Sequence, residues 1–190
     1  MIELNAPELA STGQAKGEVF IGTIEDNRAF EQSPRDPSTP SVNGDLSSTS
    51  KDQLSTLIGR QRNGYGKAMG DVALPAGQTV TTEARELLTK GFERRGYTVT
   101  NNANAPVKVN VAIDEFWGWF SPGFWAVSFE TRISTDLTVT TNGGDKTVTV
   151  AGYGRNSGQV ASDANWQLAF SRGFEDFLNK LDQALSELGL

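Results

Sequence analysis

The sequence has no histidine and no cysteine among its 190 residues. Without histidine the chain cannot form a catalytic triad of the Ser-His-Asp type, and without either residue it lacks the usual ligands of zinc. The absence of cysteine also excludes thiol chemistry and disulfide bonds. We therefore predict no metal and no cofactor, and any catalysis would depend on carboxylates, hydroxyls, lysine or arginine.

Positive charge and long apolar runs are also scarce. The chain carries 17 lysines and arginines against 23 aspartates and glutamates, a net charge of −6. Proteins that bind phosphate backbones depend on clustered basic residues, so nucleic acid is not an expected partner. No apolar run reaches the roughly eighteen residues that predict a transmembrane helix, and the first residues do not resemble a signal peptide.

Alternation of apolar and polar residues predicts several strands. The clearest case is 107–113, where Val and Ile occupy every second position. The other predicted strands cover residues 17–24, 124–141 and 146–155, and a short strand begins at Tyr97. Because the turn-forming residues 142–145 join the last two long strands, we expect an antiparallel meander in this part of the chain.

Two segments, about 80–95 and about 162–188, have the 3.6-residue period of an amphipathic helix. Thr79 or Thr81 can cap the first helix, which should end at Gly96, and Ser162 can cap the second. We therefore predict an α+β fold, a single antiparallel sheet of about four to five strands with two amphipathic helices packed on one face. The other face would be polar or available to a partner.

The remaining segments have compositions typical of loops. Residues 1–16 lack periodicity, and we predict that they form a flexible N-terminal tether. Residues 17–190 would form the single α+β domain. Within it, residues 31–75 are expected to be a long irregular excursion, because the first part is rich in proline and serine and the glycines of the second part oppose a long helix.

Several of these stretches resemble the YajG-type bacterial envelope lipoproteins, which are uncharacterised. The resemblance covers about residues 17–188. It rests on Asp26-Asn27-Arg28, on Arg95-Gly96-Tyr97-Thr98-Val99, on the strands 107–113 and Thr135-Asp136-Leu137-Thr138-Val139, and on the C-terminal helix. It implies a periplasmic domain held at the outer membrane by a lipid on a precursor cysteine, with residues 1–16 as the connection. An export signal and that cysteine would then lie upstream, and the family supplies no catalytic residues.

The most unusual segment is 116–125, in which six of ten positions are aromatic. These candidate partner-binding residues are Phe116, Trp117, Trp119, Phe120, Phe124 and Trp125. The rings could cap the core, bind a protein partner or the membrane interface, or stack on sugars. Because alternate residues of a hairpin face opposite sides, we expect some rings to be buried and others, Trp119 and Trp125 first, to be accessible.

Two polar groups are weaker candidates. If the hairpin is centred on Pro122, Asp114 and Glu130 lie nearly opposite each other, as in glycosidases, although Lys108 and Arg132 could simply neutralise them. A basic, glycine-rich stretch carries the possible anion-binding residues Arg60, Arg62 and Lys67. This stretch lacks the spacing of a P-loop, so a structural loop is the simpler interpretation. Asp26 and Arg28 are expected to pair or cap locally.

These observations favour a non-enzymatic periplasmic lipoprotein domain that binds a protein partner or associates with itself in the cell envelope. A module that binds glycan or peptidoglycan with the aromatic tip is the alternative. A carboxylate-based hydrolase is a weaker one.

Overall fold

The computed structural model describes residues 1–8, 10, 14–63, 67–122, 127–158 and 162–190, without the side chain of Pro122. These residues form seven strands and three α-helices. In chain order they are β1 (Gly17–Asp26), α1 (Lys51–Thr56), β2 (Leu57–Arg62), β3 (Ala68–Ala73), α2 (Val80–Arg94), β4 (Tyr97–Thr100), β5 (Val107–Pro122), β6 (Val127–Thr141), β7 (Gly144–Gly158) and α3 (Asp163–Glu187). A single 3-10 turn, Leu46–Ser48, precedes α1.

The strands form one mixed sheet around β5. One edge of β5 pairs along its length with β6, which in turn pairs with β7, and both pairings are antiparallel. The other edge of β5 is shared by two strands. The first half of β5 pairs in parallel with β1, beginning at Val19 and Val107, and the second half meets β2 at Gly59 and Gly118. Beyond these, β4 pairs in parallel with β1, and β3 pairs antiparallel with β2.

The predicted architecture was therefore wrong in its sheet and in its number of helices. The chain has an α+β structure, but the sheet has seven strands rather than four to five, and it is mixed rather than antiparallel. The strands β2 and β3 and the helix α1 all lie within the segment expected to be irregular. Gly59 makes β2 difficult to predict from the sequence, but this glycine has a packing role. A Cβ on Gly59 would lie 2.7 Å from the carbonyl oxygen of Gly118.

The main core lies between the sheet and the helices α2 and α3, which form where the sequence predicts them. Thr79 caps α2 through a capping box with Thr82, and Gly96 follows this helix with a φ of 89°. Ser162 caps α3. The helix α3 lies very close to β7, because a Cβ on Gly152 would be 2.5 Å from the carbonyl oxygen of Gly173.

A smaller apolar cluster lies on the opposite face of the sheet. It contains Val42, Leu57, Trp117 and Trp119, with the half-buried Phe30 and Leu46 packed against it. Residues 29–50, which we call the covering loop, enclose this cluster. Two arginines hold the loop in place from the sheet side. Arg28, just before the loop, lies over the Phe30 ring at 5.2 Å, and Arg60 of β2 donates hydrogen bonds to Val42 O and to Asn43 Oδ1.

The first residues of the chain pack against the domain. Ile2, Leu4 and Ala6 are buried in the main core, and Ile2 N donates a hydrogen bond of 2.9 Å to Ala73 O at the end of β3. Glu8 pairs with Lys90 of α2 at 2.6 Å. The predicted tether thus makes specific contacts over its described residues, while its flexibility stays a prediction.

Side chains of α3 also bind the outer edge of β7. The carboxylate of Asp176 accepts a hydrogen bond of 2.9 Å from Tyr153 N, and Arg172 Nη1 donates one of 2.6 Å to Arg155 O. These backbone groups point away from β6, so that β7 has partners along both of its edges at this point.

Candidate functional site

The aromatic segment is divided between the two faces of the sheet. Phe116 and Phe120 point into the main core, where Phe116 contacts Phe170 and Phe174 of α3 with ring centroids about 6 Å apart. Trp117 and Trp119 point to the opposite face. Thus the expected division of the rings by alternation is observed, although both tryptophans are buried.

The two tryptophans are buried by different residues. The covering loop buries Trp117, whereas side chains of β6 and β7 lie against Trp119. Trp117 lies under the covering loop, where its ring meets Phe30 edge-on at 5.9 Å and its Nε1 donates a hydrogen bond of 3.3 Å to Pro37 O. Trp119 is only 7% exposed, which contradicts our expectation that it is accessible. Phe124 and Trp125 lie outside the described residues, so their assignment to a partner-binding site stays a prediction.

Beside Trp119 the sheet carries an exposed patch of aromatic and charged side chains. The guanidinium of Arg132 lies over the Trp119 ring at 5.4 Å, and the Tyr153 ring is 6.5 Å from Trp119. Tyr153 is 43% exposed, and Arg155 lies two residues further along β7. We call the surface of β6 and β7 that faces away from α3 the open face, and Arg132, Tyr153 and Arg155 occupy one half of it.

Hydrogen bonds and ion pairs hold the side chains of the patch. Arg132 pairs with Glu115 at 3.0 Å, and the Tyr153 hydroxyl donates a hydrogen bond of 2.6 Å to Glu130. Partial burial, together with this bond to a carboxylate, raises the pKa of Tyr153 above its ordinary value. Arg155 donates two hydrogen bonds to the Ser128 hydroxyl. These contacts therefore fix the positions of the side chains in the patch.

The other half of the open face is acidic and rich in threonine. Asp136 accepts a hydrogen bond from the Thr149 hydroxyl, and Asp114 lies on the neighbouring strand. Partial burial raises the pKa of Asp114, and the nearby carboxylates of Asp136 and Glu115 raise it further. Two carboxylates, those of Asp114 and Asp136, are thus close together at this end.

The proposed carboxylate pair of a hydrolase is not brought together. Pro122 pairs with Val127, so the hairpin is not centred on Pro122, and Glu130 lies opposite Trp119. Asp114 lies at the bulge between Ile113 and Glu115, several residues away along the strands. At about 3.3 Å per residue this separates the two positions by roughly 15 Å, more than the roughly 5–9.5 Å of glycosidase carboxylates.

The three possible anion-binding residues have separate environments. Arg60 is buried, and its guanidinium lies 3.5 Å from the carboxylate of Asp71 in addition to its bonds with the covering loop. Burial, and then the charge of Arg60, lowers the pKa of Arg62. Lys67 is exposed. Arg60 thus has a structural role in holding the loop, and anion binding by this group stays a prediction.

Sequence reasoning missed Tyr153 and Arg155. Both belong to Gly152-Tyr153-Gly154-Arg155, in which the glycines are buried against α3 and the large residues point outward. The alternation of glycine with large polar residues is the signal that could have identified an exposed patch on this strand.

The described residues offer neither a metal site nor a membrane-spanning helix. Within the part of the chain that the structure describes, no group of three or more acidic residues could hold a metal ion. No helix among those residues has the length and apolar character needed to cross a membrane.

Comparison with solved structures gives distant similarities. A crystal structure of a DUF330 protein from Xanthomonas campestris is 13% identical, with a TM-score of 0.47, and the match covers 99% of this chain and 89% of the other. An uncharacterized protein is 8% identical with a TM-score of 0.49, covering 93% and 97%.

The comparison with curated proteins gives no match. The model of a family described as uncharacterized lipoprotein matches residues 50–188, which is most of the chain and confirms the resemblance to YajG-type proteins. The chain belongs to this family of lipoproteins.

Proposed function

We propose that this chain is a non-enzymatic domain of a cell-envelope lipoprotein, and that it binds a protein partner through its open face. The family supports the lipoprotein character and a place in the cell envelope. We also propose that the domain is periplasmic, that it is anchored to the outer membrane and that its partner is a protein.

The observation that carries the proposal is the patch of Trp119, Arg132, Tyr153 and Arg155. Tryptophan, tyrosine and arginine are the residues most enriched among those that dominate binding energy at protein interfaces. Here Tyr153 is 43% exposed, and the side chain of Arg132 is 44% exposed. Because hydrogen bonds, an ion pair and the Trp119 ring already hold them, these side chains would lose little conformational entropy when a partner binds.

The alternatives have less support among the described residues. A hydrolase needs two carboxylates close together, and Asp114 and Glu130 lie too far apart. Sugar stacking by the aromatic segment needs accessible rings, but its described rings, Phe116, Trp117, Trp119 and Phe120, are all buried. The described part of this segment therefore does not favour a glycan-binding module.

Site-specific photo-cross-linking in the native cell envelope would test the proposal. A photoreactive amino acid replaces Tyr153 on the open face, in the full-length protein. The matched control is the same substitution at Leu168 of α3, because Leu168 is 42% exposed and lies on the helix side of the domain.

We expect a discrete protein adduct from position 153 that is absent from position 168. Equal adduct patterns at the two positions, or no protein adduct at position 153, would overturn the assignment of the open face. Fractionation of the same cells would test the periplasmic and outer-membrane location, because the protein should separate with outer-membrane markers.

A further inference from the structure

The turn between β6 and β7 consists of Asn142 and Gly143. Thr141, the last residue of β6, pairs with Gly144, the first residue of β7, so these two residues make the whole connection. Both are exposed, and the side chain of Asn142 has no hydrogen-bond or ionic partner among the described residues. A carboxamide that no described residue holds thus directly precedes a residue without a side chain.

We propose that Asn142 is a site of spontaneous deamidation, at which water converts the carboxamide to a carboxylate without an enzyme. Asparagine is a thermolabile residue. The reaction passes through a ring that includes the backbone nitrogen of the next residue, and glycine there offers no side chain to hinder ring closure. This inference goes beyond the proposed function and does not depend on it.

The reaction has two steps. In the first, the backbone nitrogen of Gly143 loses its proton and forms a bond to Cγ of Asn142, while the bond from Cγ to Nδ2 breaks and Nδ2 leaves as ammonia with that proton. The product is a cyclic succinimide. In the second, water opens the ring. Breaking the new bond to Cγ gives aspartate at position 142, and breaking the bond to the main-chain carbonyl carbon gives isoaspartate.

The surroundings of Gly143 leave its nitrogen open to this reaction. A Cβ built on Gly143 would have a single described neighbour within 4 Å, Thr141 Oγ1 at 3.5 Å. The nitrogen itself donates a hydrogen bond of 3.1 Å to the same hydroxyl at the surface. Water can replace such a bond at little net cost in free energy. The nucleophile is therefore held by one replaceable contact.

A second Asn-Gly pair, in the covering loop, has the opposite environment. Oδ1 of Asn43 accepts a hydrogen bond of 3.2 Å from Arg60, and the backbone nitrogen of Asn43 donates one of 2.9 Å to Asp71. Gln32 donates a hydrogen bond of 2.9 Å to Gly44 O. Because these bonds resist the movement that closes the ring, Asn43 should react slowly. The structure thus distinguishes two pairs that are identical in sequence.

Conversion at position 142 would change both the charge and the geometry of the hairpin. Either product adds a carboxylate to a turn that already has Asp145 nearby in sequence. Isoaspartate also adds one carbon to the main chain, which lengthens the turn that sets the pairing of Thr141 with Gly144. The patch of Arg132 and Tyr153 lies further along the strands and is not part of this site.

Peptide mapping by mass spectrometry tests the proposal on the full chain, folded and incubated at pH 8. The mapping measures each asparagine separately, because replacing NH₂ with OH changes the mass of its peptide. We expect conversion at Asn142 to be at least about tenfold faster than at Asn43. In the chain unfolded in urea, both pairs lose their surroundings, and the two rates should become similar. Asn63-Gly64 extends outside the described residues and does not enter this comparison.

Gly143→Ala provides a matched variant. The methyl group fits the turn, because its nearest neighbour would lie at 3.5 Å and Gly143 does not have a positive φ. The hairpin should therefore keep its fold, while the methyl group hinders ring closure. We expect conversion at Asn142 to slow by at least about tenfold and conversion at Asn43 to stay unchanged.

Three results would overturn the inference: no conversion at Asn142, equal conversion at Asn142 and Asn43 in the folded chain, or an unchanged rate at Asn142 in Gly143→Ala. The cross-linking test at position 153 is independent of all three, so the proposed function and this modification site can fail separately.

Discussion

Arg28 and Asp26 form a two-point ion pair beside one edge of β5. It lies at the position along this edge where the pairing with β1 ends and the pairing with β2 begins. Arg28 Nε and Nη2 each lie 2.8 Å from a carboxylate oxygen of Asp26. The guanidinium also donates hydrogen bonds to the carbonyl oxygens of Leu54, Leu57 and Phe116. Arg28 therefore lies between β1 and β2 at the edge of β5. There it provides the hydrogen bonds to carbonyl groups that a neighbouring strand would otherwise provide.

Replacing Arg28 with Ala should strongly destabilise the domain. The side chain is fully buried, and its removal leaves one carboxylate and three carbonyl groups without their partner, so we expect a loss of about 3–5 kcal/mol in the free energy of unfolding. Arg28→Lys should lose much of the same stability, because an ammonium group cannot form the planar fork. Urea unfolding measures both, with the exposed Arg35→Ala as control. A loss below about 1 kcal/mol would contradict this role.

The stability of the domain should decrease between pH 5 and pH 7 because of Glu83. This side chain of α2 is 4% exposed, and burial, followed by the charge of Glu86, raises its pKa from 4.5 to about 7. The folded state then binds a proton more tightly than the unfolded state, so stability is highest below pH 4.5 as far as Glu83 is concerned. It falls as pH rises to 7, by on the order of 3 kcal/mol.

Glu83→Gln should remove most of this pH dependence and be more stable than the native sequence at pH 8. Because the chain has no histidine, few other groups titrate in this range. Urea unfolding at pH 5, 6, 7 and 8 gives the measurement, and Glu93→Gln, on the exposed side of α2, is the control. Parallel pH profiles for Glu83→Gln and the native sequence would contradict the assignment.

Two buried threonines of β6 should tolerate replacement by valine with a gain in stability. Thr131 and Thr135 are both 0% exposed, and their hydroxyl groups have no hydrogen-bond partner among the described residues. Valine keeps the shape and removes the desolvated hydroxyl, so each substitution should raise the free energy of unfolding by about 1 kcal/mol. Thr147→Val on the exposed face should change it little. A destabilised Thr135→Val would indicate a hydrogen bond or water at that site.

Gly152→Ala should destabilise the contact between β7 and α3. The new methyl carbon would lie 2.5 Å from Gly173 O and 2.6 Å from Phe177 Cβ, so that the helix must move away. We expect a loss of about 1–3 kcal/mol. Gly70→Ala is the matched control, because its methyl group would meet nothing nearer than 3.8 Å. Thermal unfolding compares the two, and equal melting temperatures would refute the tight packing.

Local signals predicted much of the structure. The helix signals at Thr79, Gly96 and Ser162 gave helices with correct limits, because capping depends on neighbouring residues. The strands β5, β6 and β7 were identified because their alternation is regular. In contrast, β2 and β3 contain Gly59, the buried Arg60 and Gly70, which interrupt the pattern. Their identity as strands depends on contacts with β5, more than fifty residues away.

The parallel pairings and the candidate site could not be predicted from the sequence, because they also depend on contacts between distant residues. Nothing near Val19 indicates that it pairs with Val107. The alternation within 116–125 predicted that its rings point to both faces of the sheet, but the covering loop that buries Trp117 comes from a distant part of the chain. The exposed half of the site belongs to Tyr153 and Arg132, which become neighbours only through strand register.

The contacts of Asp176 and Arg172 with the backbone of β7 have a consequence for aggregation. A fifteen-residue antiparallel strand at the border of a sheet is normally a template on which other chains can add strands without limit. Here two charged helix side chains occupy backbone groups that such an added strand would use. Asp176→Ala combined with Arg172→Ala would therefore convert a protected border into a growth point for fibrils, even if the domain remained folded.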